Sequence, residues 1–364
     1  MDTKKRPYEH GGDIWSYGEK VIDFSANINA QGLSLKARKA MVERIDEVIH
    51  YPDPHCRHLL QHLSTYLGLT PSALLPGNGA VDLLDHWIAQ CQLRKVMLCE
   101  PSFGQYHRAL KAQGTQIHPF YLNEKDHFQL DHKKWIAQLI ESGCDGAIVC
   151  SPHNPVGWTW ERGVRDEIIK VCEERRIHLL IDESFVDFLP PEQEIRAIEQ
   201  TVASNYVRVL YSLTKFFAIP GLRLGLLIGK PSFIEELQSK RDPWSVNHLA
   251  QIAAVAALQD RDYQKRTQER LPQERAYLFE GLQKIKGFEP LPSTVNFLLV
   301  NIEKSGYSAS WWTDKLAQKK MILRNCNSFA LLGERYLRIA VRTIEETAKL
   351  LEALQVIEGE ESVL

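Results

Sequence analysis

Long apolar runs are absent from this chain. No stretch reaches the roughly 18 residues that a membrane-crossing helix needs, so no spanning helix is expected. The opening residues, 1–15, also lack the apolar segment of a secretory signal. An excess of one charge is missing as well: 44 basic and 46 acidic residues leave a formal net charge of −2. That balance gives no electrostatic case for nucleic acid or for an anionic membrane surface as a partner. The residues before Tyr51 show no helix-turn-helix pattern and no basic excess, which argues against a DNA-binding module. Cysteine is sparse, and its seven copies, an odd number spread along the chain, read as reduced thiols rather than a disulfide frame. There is no internal repeat and no low-complexity segment. The expectation is a cytoplasmic protein.

What is present is a globular composition, 44% hydrophobic and 25% charged. A length of 364 residues exceeds what one ordinary core takes, so two domains are expected. Compact apolar runs at 95–101, 146–152, 177–184 and 207–214 read as buried strands of a parallel sheet. Helical patterns lie between them, such as 163–176, with apolar residues at helical spacing and basic residues at the end. This alternation predicts an α/β layered domain over 50–245. After "KRDPWSVN" (240–247) the pattern changes to a long charged helical stretch, 248–286. Strand-like runs at 295–302, 321–326 and 336–341 and a final helix follow. Residues 246–364 are therefore expected to form a smaller α+β domain, joined by an N-terminal arm over 1–49.

In a parallel α/β sheet, ligands collect outside the carboxyl ends of the strands. Those ends carry Glu100-Pro101-Ser102-Phe103, Ser151-Pro152-His153-Asn154-Pro155, Asp182-Glu183 and Ser212-Leu213-Thr214-Lys215. An aromatic ring, an amide, a carboxylate, a hydroxyl and an amine thus converge on one rim. Taken singly each has a plain reading: a surface lysine, a helix-capping aspartate, a turn-forming serine or Asn-Pro. Lys215, however, is followed by the apolar run Phe216–Ile219, where a lysine is costly unless its charge is removed or matched. An amine in such a site can condense with an aldehyde cofactor. A second cluster, His50, His55, Cys56, His58 and His62, places histidines 58 and 62 on one helix face. No carboxylate or second cysteine completes a recognised ligand pattern, and no metal is expected.

The segment "SLTKFFAIPGLRLG" (212–225), with "NPVG" at 154–157 and "DESF" at 182–185, resembles the signature of fold-type-I, aspartate-aminotransferase-like pyridoxal-phosphate enzymes. The resemblance covers essentially the whole chain and implies pyridoxal 5'-phosphate as cofactor. It implies that Lys215 holds the cofactor as an imine and then carries a proton. Asp182 would pair with the pyridine nitrogen, Asn154 would bond the ring oxygen, and Phe103 would stack on the ring. Ser212, Arg223 and the backbone at Gly79 and Ala80 would bind the phosphate. Tyr51 would reach the phosphate of a neighbouring subunit's cofactor, which makes a homodimer part of the site.

A finer resemblance is to the threonine-phosphate decarboxylases of cobalamin biosynthesis, near relatives of histidinol-phosphate aminotransferases. "HGGDIW" (10–15), "DFSANIN" (23–29), "YPDP" (51–54), "DPWSVN" (242–247) and the lysine segment carry it. Phe185 fits this branch, since the aminotransferases commonly have tyrosine there. The branch implies L-threonine O-3-phosphate as substrate, with Arg338 on its carboxylate and His10, Asn29 and Arg324 near its phosphate. Transamination of a phosphorylated amino compound such as histidinol phosphate is the alternative. The chain departs from the branch at Ala30, Ala80, Val81, His153 and Val156, none of which removes an essential functional group.

Overall fold

The computed structural model describes residues 10–18, 20–190 and 195–361. The first nine residues of the expected arm lie outside them. Seven strands form one sheet in the spatial order Leu74–Gly77, Gly225–Ile228, Val207–Ser212, His178–Asp182, Gly146–Cys150, Lys95–Glu100 and Gln116–Tyr121. The last five run parallel, and Gly225–Ile228 is antiparallel to both of its neighbours. The four strands expected from sequence stand side by side at the centre of this sheet.

Their apolar runs follow from burial on both faces. Leu180, Ile148 and Leu98 face one core, with Trp87 and Leu84 of the helix Ala80–Cys91. Leu179, Ile181, Ala147, Val149 and Met97 face the other. The strands that sequence reasoning missed are the two edge strands and the short reversed one. The edges contain Pro76 and Pro119, which a sheet tolerates at its margin where a missing N–H leaves no gap.

The C-terminal part builds an antiparallel sheet in the order Arg324–Asn325, Tyr336–Ala340, Phe297–Asn301 and Glu289–Pro290. The expected strand over 321–326 is two pieces. Met321–Ile322 pairs in parallel with Ile22–Asp23 of the N-terminal arm, and after Leu323 the chain changes partner to Tyr336–Ala340. The expected helical stretch 248–286 is also divided, into His248–Leu258 and Arg261–Gln283. Asp260 breaks it by capping the second helix, its side chain accepting from the Tyr263 N–H at 3.4 Å. His248–Leu258 packs on the helices Leu35–Glu43 and Arg57–Leu67. Among the described residues no helix is long and apolar enough to cross a membrane.

Candidate active site

The central strands end on one rim, at Glu100, Cys150, Asp182 and Ser212. Lys215 follows in a loop anchored by its apolar neighbours. Phe216 and Phe217 are buried, and the Phe216 carbonyl accepts from the Tyr263 hydroxyl at 3.1 Å. The Lys215 Nζ donates to Thr214 Oγ1 at 3.0 Å and to Ser212 Oγ at 3.3 Å, both uncharged groups. Burial pushes its pKa down to about 8; the nearby Asp182 carboxylate opposes this shift, and Arg223 adds to it. A lysine held there is uncharged far more often than one in water, and so is a nucleophile.

Asp182 is buried, with Oδ2 accepting from the Tyr106 hydroxyl at 2.5 Å and Oδ1 from the Ser184 N–H at 2.9 Å. Sequence reasoning did not find Tyr106. Its signal was the spacing: it follows Phe103 by three residues on the helix Gly104–Ala112, so both rings lie at one end of that helix. The two rings meet edge to face at 5.6 Å.

Asn154 is buried, and its Oδ1 accepts from Arg338 Nη1 at 2.6 Å. An Asn154 oxygen held by a guanidinium leaves the Nδ2 amide as the donor for a ligand. Arg338 Nη2 donates to the Ser25 carbonyl at 3.0 Å, and its Nε is buried without a partner. None of these contacts is a carboxylate. Burial, then Arg324, lowers the Arg338 pKa to about 10. Arg324 stands directly opposite Arg338 in the strand pair, and both are buried. Two like charges so placed repel unless an anion lies between them. His10 belongs to the same neighbourhood: burial, then Arg324 and Arg338, lowers its pKa.

Asn29 does something different from what was expected. Its Nδ2 donates to the Phe216 carbonyl and to Thr267 Oγ1, each at 2.8 Å, and its Oδ1 accepts from the Gln31 N–H at 3.1 Å. The side chain is committed to joining the arm, the lysine loop and the helix Arg261–Gln283. Its own N–H donates to the Lys215 carbonyl at 3.0 Å.

A helix N-terminus and an arginine meet beside the lysine loop. Gly79 precedes the helix Ala80–Cys91, whose N-terminus has no side-chain cap. The Gly79 N–H is already used by the Gly77 carbonyl at 2.7 Å, so the Ala80 N–H is the first available to a ligand. Gly79 has φ 84° and ψ 163°, a conformation essentially reserved for glycine. A Cβ there would stand 2.4 Å from Arg223 Nη2. Arg223 itself has φ 57°, an uncommon backbone state for an arginine. Ser212 is buried at the same place, sharing a hydrogen bond of 2.7 Å with Thr214 Oγ1.

Tyr51 is far from this rim in character: 79% exposed and stacked on Trp244 at 4.7 Å. In the histidine cluster, His62 has both ring nitrogens engaged: Nδ1 bonds the His58 carbonyl at 2.8 Å and Nε2 meets Gln259 at 2.7 Å. His153 is buried and stacked on Trp158 at 4.7 Å, with its pKa lowered by burial to about 3.

The model of the aminotransferase class I and II family matches residues 19–354. The chain belongs to this family. Within the aminotransferase class I and II proteins it is 32% identical, over 95% of each chain, to the threonine-phosphate decarboxylase of Salmonella typhimurium. It is 26% identical to the histidinol-phosphate aminotransferase of Methanosphaera stadtmanae, over 93% of this chain and 91% of that one. Among solved structures, the histidinol-phosphate aminotransferase from Clostridium acetobutylicum superposes with a TM-score of 0.84 at 27% identity, covering 93% of this chain and 100% of that one. The family match includes every rim residue named above except His10.

Proposed function

We propose that the protein is a pyridoxal-phosphate-dependent decarboxylase of the cytoplasm. It converts L-threonine O-3-phosphate into (R)-1-aminopropan-2-ol phosphate and CO2, a step of cobalamin biosynthesis. The observation that carries the reading is the pair of buried arginines facing each other beside Asn154, where the bonds of Arg338 are all to uncharged groups. A substrate with two anionic ends matches that pair, and the 32% identity to a threonine-phosphate decarboxylase supports the choice. Phe185 fits the same choice: its ring centroid lies 5.8 Å from Lys215 Nζ, at a position where the related aminotransferases commonly have tyrosine.

The residues fit the cofactor. The glycine-only cradle at Gly79, the Ala80 N–H, Ser212 and Arg223 suit its phosphate, and Phe103 suits its ring face. Asp182 would hold the proton on the pyridine nitrogen, and Asn154 Nδ2 would donate to the ring oxygen. Bound there, pyridoxal phosphate supplies an aldehyde carbon for an amine and a ring that takes up the electron pair released when CO2 leaves. Arg338 fastens the substrate carboxylate, and Arg324 and His10 take the distal phosphate as charge-assisted donors. Lys215 delivers the proton to the substrate α-carbon after CO2 departs. Asn29 acts through the scaffold by holding the lysine loop.

Carboxyl-labelled L-threonine O-3-phosphate, supplied without a keto acid, should release one CO2 for each substrate consumed. Turnover that requires 2-oxoglutarate and releases no CO2 would instead establish the second reading, an aminotransferase of a phosphorylated amino compound. The 27% identity to a histidinol-phosphate aminotransferase structure keeps that reading in view.

The cradle gives a separate prediction. Gly79→Ala places a methyl group against Arg223 and puts alanine in a backbone region that costs about 1–3 kcal/mol. The dissociation constant for pyridoxal phosphate, read by absorbance titration, should rise at least about tenfold.

The same reading includes a homodimer in which Tyr51 serves the partner's cofactor phosphate, and a division into 1–49, 50–245 and 246–364. Tyr51 is 79% exposed and stacks on Trp244, itself 47% exposed, so an aromatic pair faces outward there, of the kind subunit contacts cover. At limiting pyridoxal phosphate, mixing Tyr51→Ala, weakened in cofactor binding, with inactive Lys215→Ala should raise activity through hybrid dimers that carry one intact site. No rise after subunit exchange, checked by native mass spectrometry, would exclude the shared site.

A further inference from the structure

Gln105 joins the N-terminal arm to the helices of the large sheet. Its Nε2 lies 2.6 Å from His10 Nε2, and its Oε1 accepts from Arg108 Nε at 2.6 Å. Asp85 holds Arg108 in turn, with Nη2 at 2.7 and 2.6 Å from its two carboxylate oxygens. Asp85 belongs to the helix Ala80–Cys91, whose N-terminus meets Arg223 beside the lysine loop.

These contacts fix where the protons are. A guanidinium has only donors, so the Gln105 atom facing Arg108 is the amide oxygen and the atom facing His10 is the NH2. His10 Nε2 must then accept, which makes the ring neutral with its proton on Nδ1. The depressed pKa of His10 agrees, since burial and the two arginines disfavour a charged ring. The arm is held at a second point as well. The Gly12 N–H donates to Ser25 Oγ at 2.7 Å, and the Ser25 carbonyl accepts from Arg338. Gly11 approaches that carbonyl so closely that a Cβ would stand 2.1 Å from its oxygen.

We propose that Gln105, oriented by Arg108 and Asp85, latches the N-terminal arm at the rim and holds His10 neutral, leaving Nδ1–H as its one donor for the substrate's phosphate. The proposal rests on the reading above, in which His10 meets that phosphate. Gln105 is a positioning residue: it acts through His10. Without it, the arm keeps its hold on Ser25 but His10 is free to turn and to change tautomer.

Histidine-selective 15N NMR of the holoenzyme, with steady-state kinetics on L-threonine O-3-phosphate, tests this. The wild type should show His10 as the Nδ1–H tautomer. In Gln105→Ala the signal should move toward the Nε2–H form that free imidazole side chains prefer. KM should rise about tenfold while kcat changes less than about threefold. Asp85→Asn, which releases Arg108, should move both readouts in the same direction and guards against a fault peculiar to the Gln105 variant. An unchanged His10 tautomer in Gln105→Ala overturns the latch. So does an unchanged KM in Gln105→Ala when His10→Ala raises it. If His10→Ala leaves KM unmoved, the phosphate assignment of His10 fails, and the tautomer shift alone then decides the latch.

Discussion

Replacing Lys215 with alanine is expected to lower kcat on the order of ten-thousandfold, because in the proposed mechanism one side chain both engages the cofactor and returns the proton to the substrate. Cofactor affinity should fall far less, since Ser212, Arg223 and the Ala80 N–H remain. Equilibrium dialysis of pyridoxal phosphate separates the two effects. A variant that binds cofactor but retains more than about a hundredth of wild-type turnover would remove Lys215 from the chemistry. The apoprotein offers a check that needs no cofactor. Lys215 has a pKa of about 8 against an ordinary value of 10.5, so the unfolded chain binds more protons between those values. Stability therefore carries the full penalty of the buried charge below about pH 8 and recovers as pH rises toward 10.5. Lys215→Met removes that charge, so it should raise the apoprotein Tm by on the order of a few degrees at pH 7. The gain should vanish above pH 10.5.

Asp182→Asn should have the second largest effect, a fall in kcat on the order of a thousandfold. A carboxylate keeps a pyridine nitrogen protonated, whereas an amide cannot supply the charge that makes the protonated ring stable. The carboxylate is buried, and the Tyr106 hydroxyl and Ser184 N–H occupy one oxygen each, so its orientation is fixed before any ligand arrives. Tyr106→Phe leaves the carboxylate in place and removes one donor to it. Its loss of activity should be much smaller, about tenfold, because the carboxylate keeps its charge and its bond from the Ser184 N–H. Equal losses for the two variants would mean that the tyrosine, and not the carboxylate, is the group that matters.

The central sheet was legible because both of its faces are buried, which turns each inner strand into a continuous apolar run. The edge strands Leu74–Gly77 and Gln116–Tyr121 were not legible, since a margin tolerates proline and polar residues and loses the pattern. The rim was legible for a related reason: parallel strands deliver their following residues to one side, so Asn154, Asp182, Ser212 and Lys215 had to meet. Contacts between distant segments were not readable from one-dimensional pattern. Arg338 and Asn154 are 184 residues apart, and Tyr106 and Asp182 are 76 apart. Asn29 has contacts that the sequence did not reveal. Its residue type suits a substrate ligand, but only the fold reveals that Phe216, Thr267 and Gln31 already take up its amide.

The most direct measurement is borohydride reduction of the holoenzyme followed by peptide mapping. The amine–aldehyde bond should be trapped as a stable pyridoxyl group on the peptide carrying Lys215, in one copy per chain. A chain that takes up no label after incubation with pyridoxal phosphate, or that carries it on another lysine, contradicts the account.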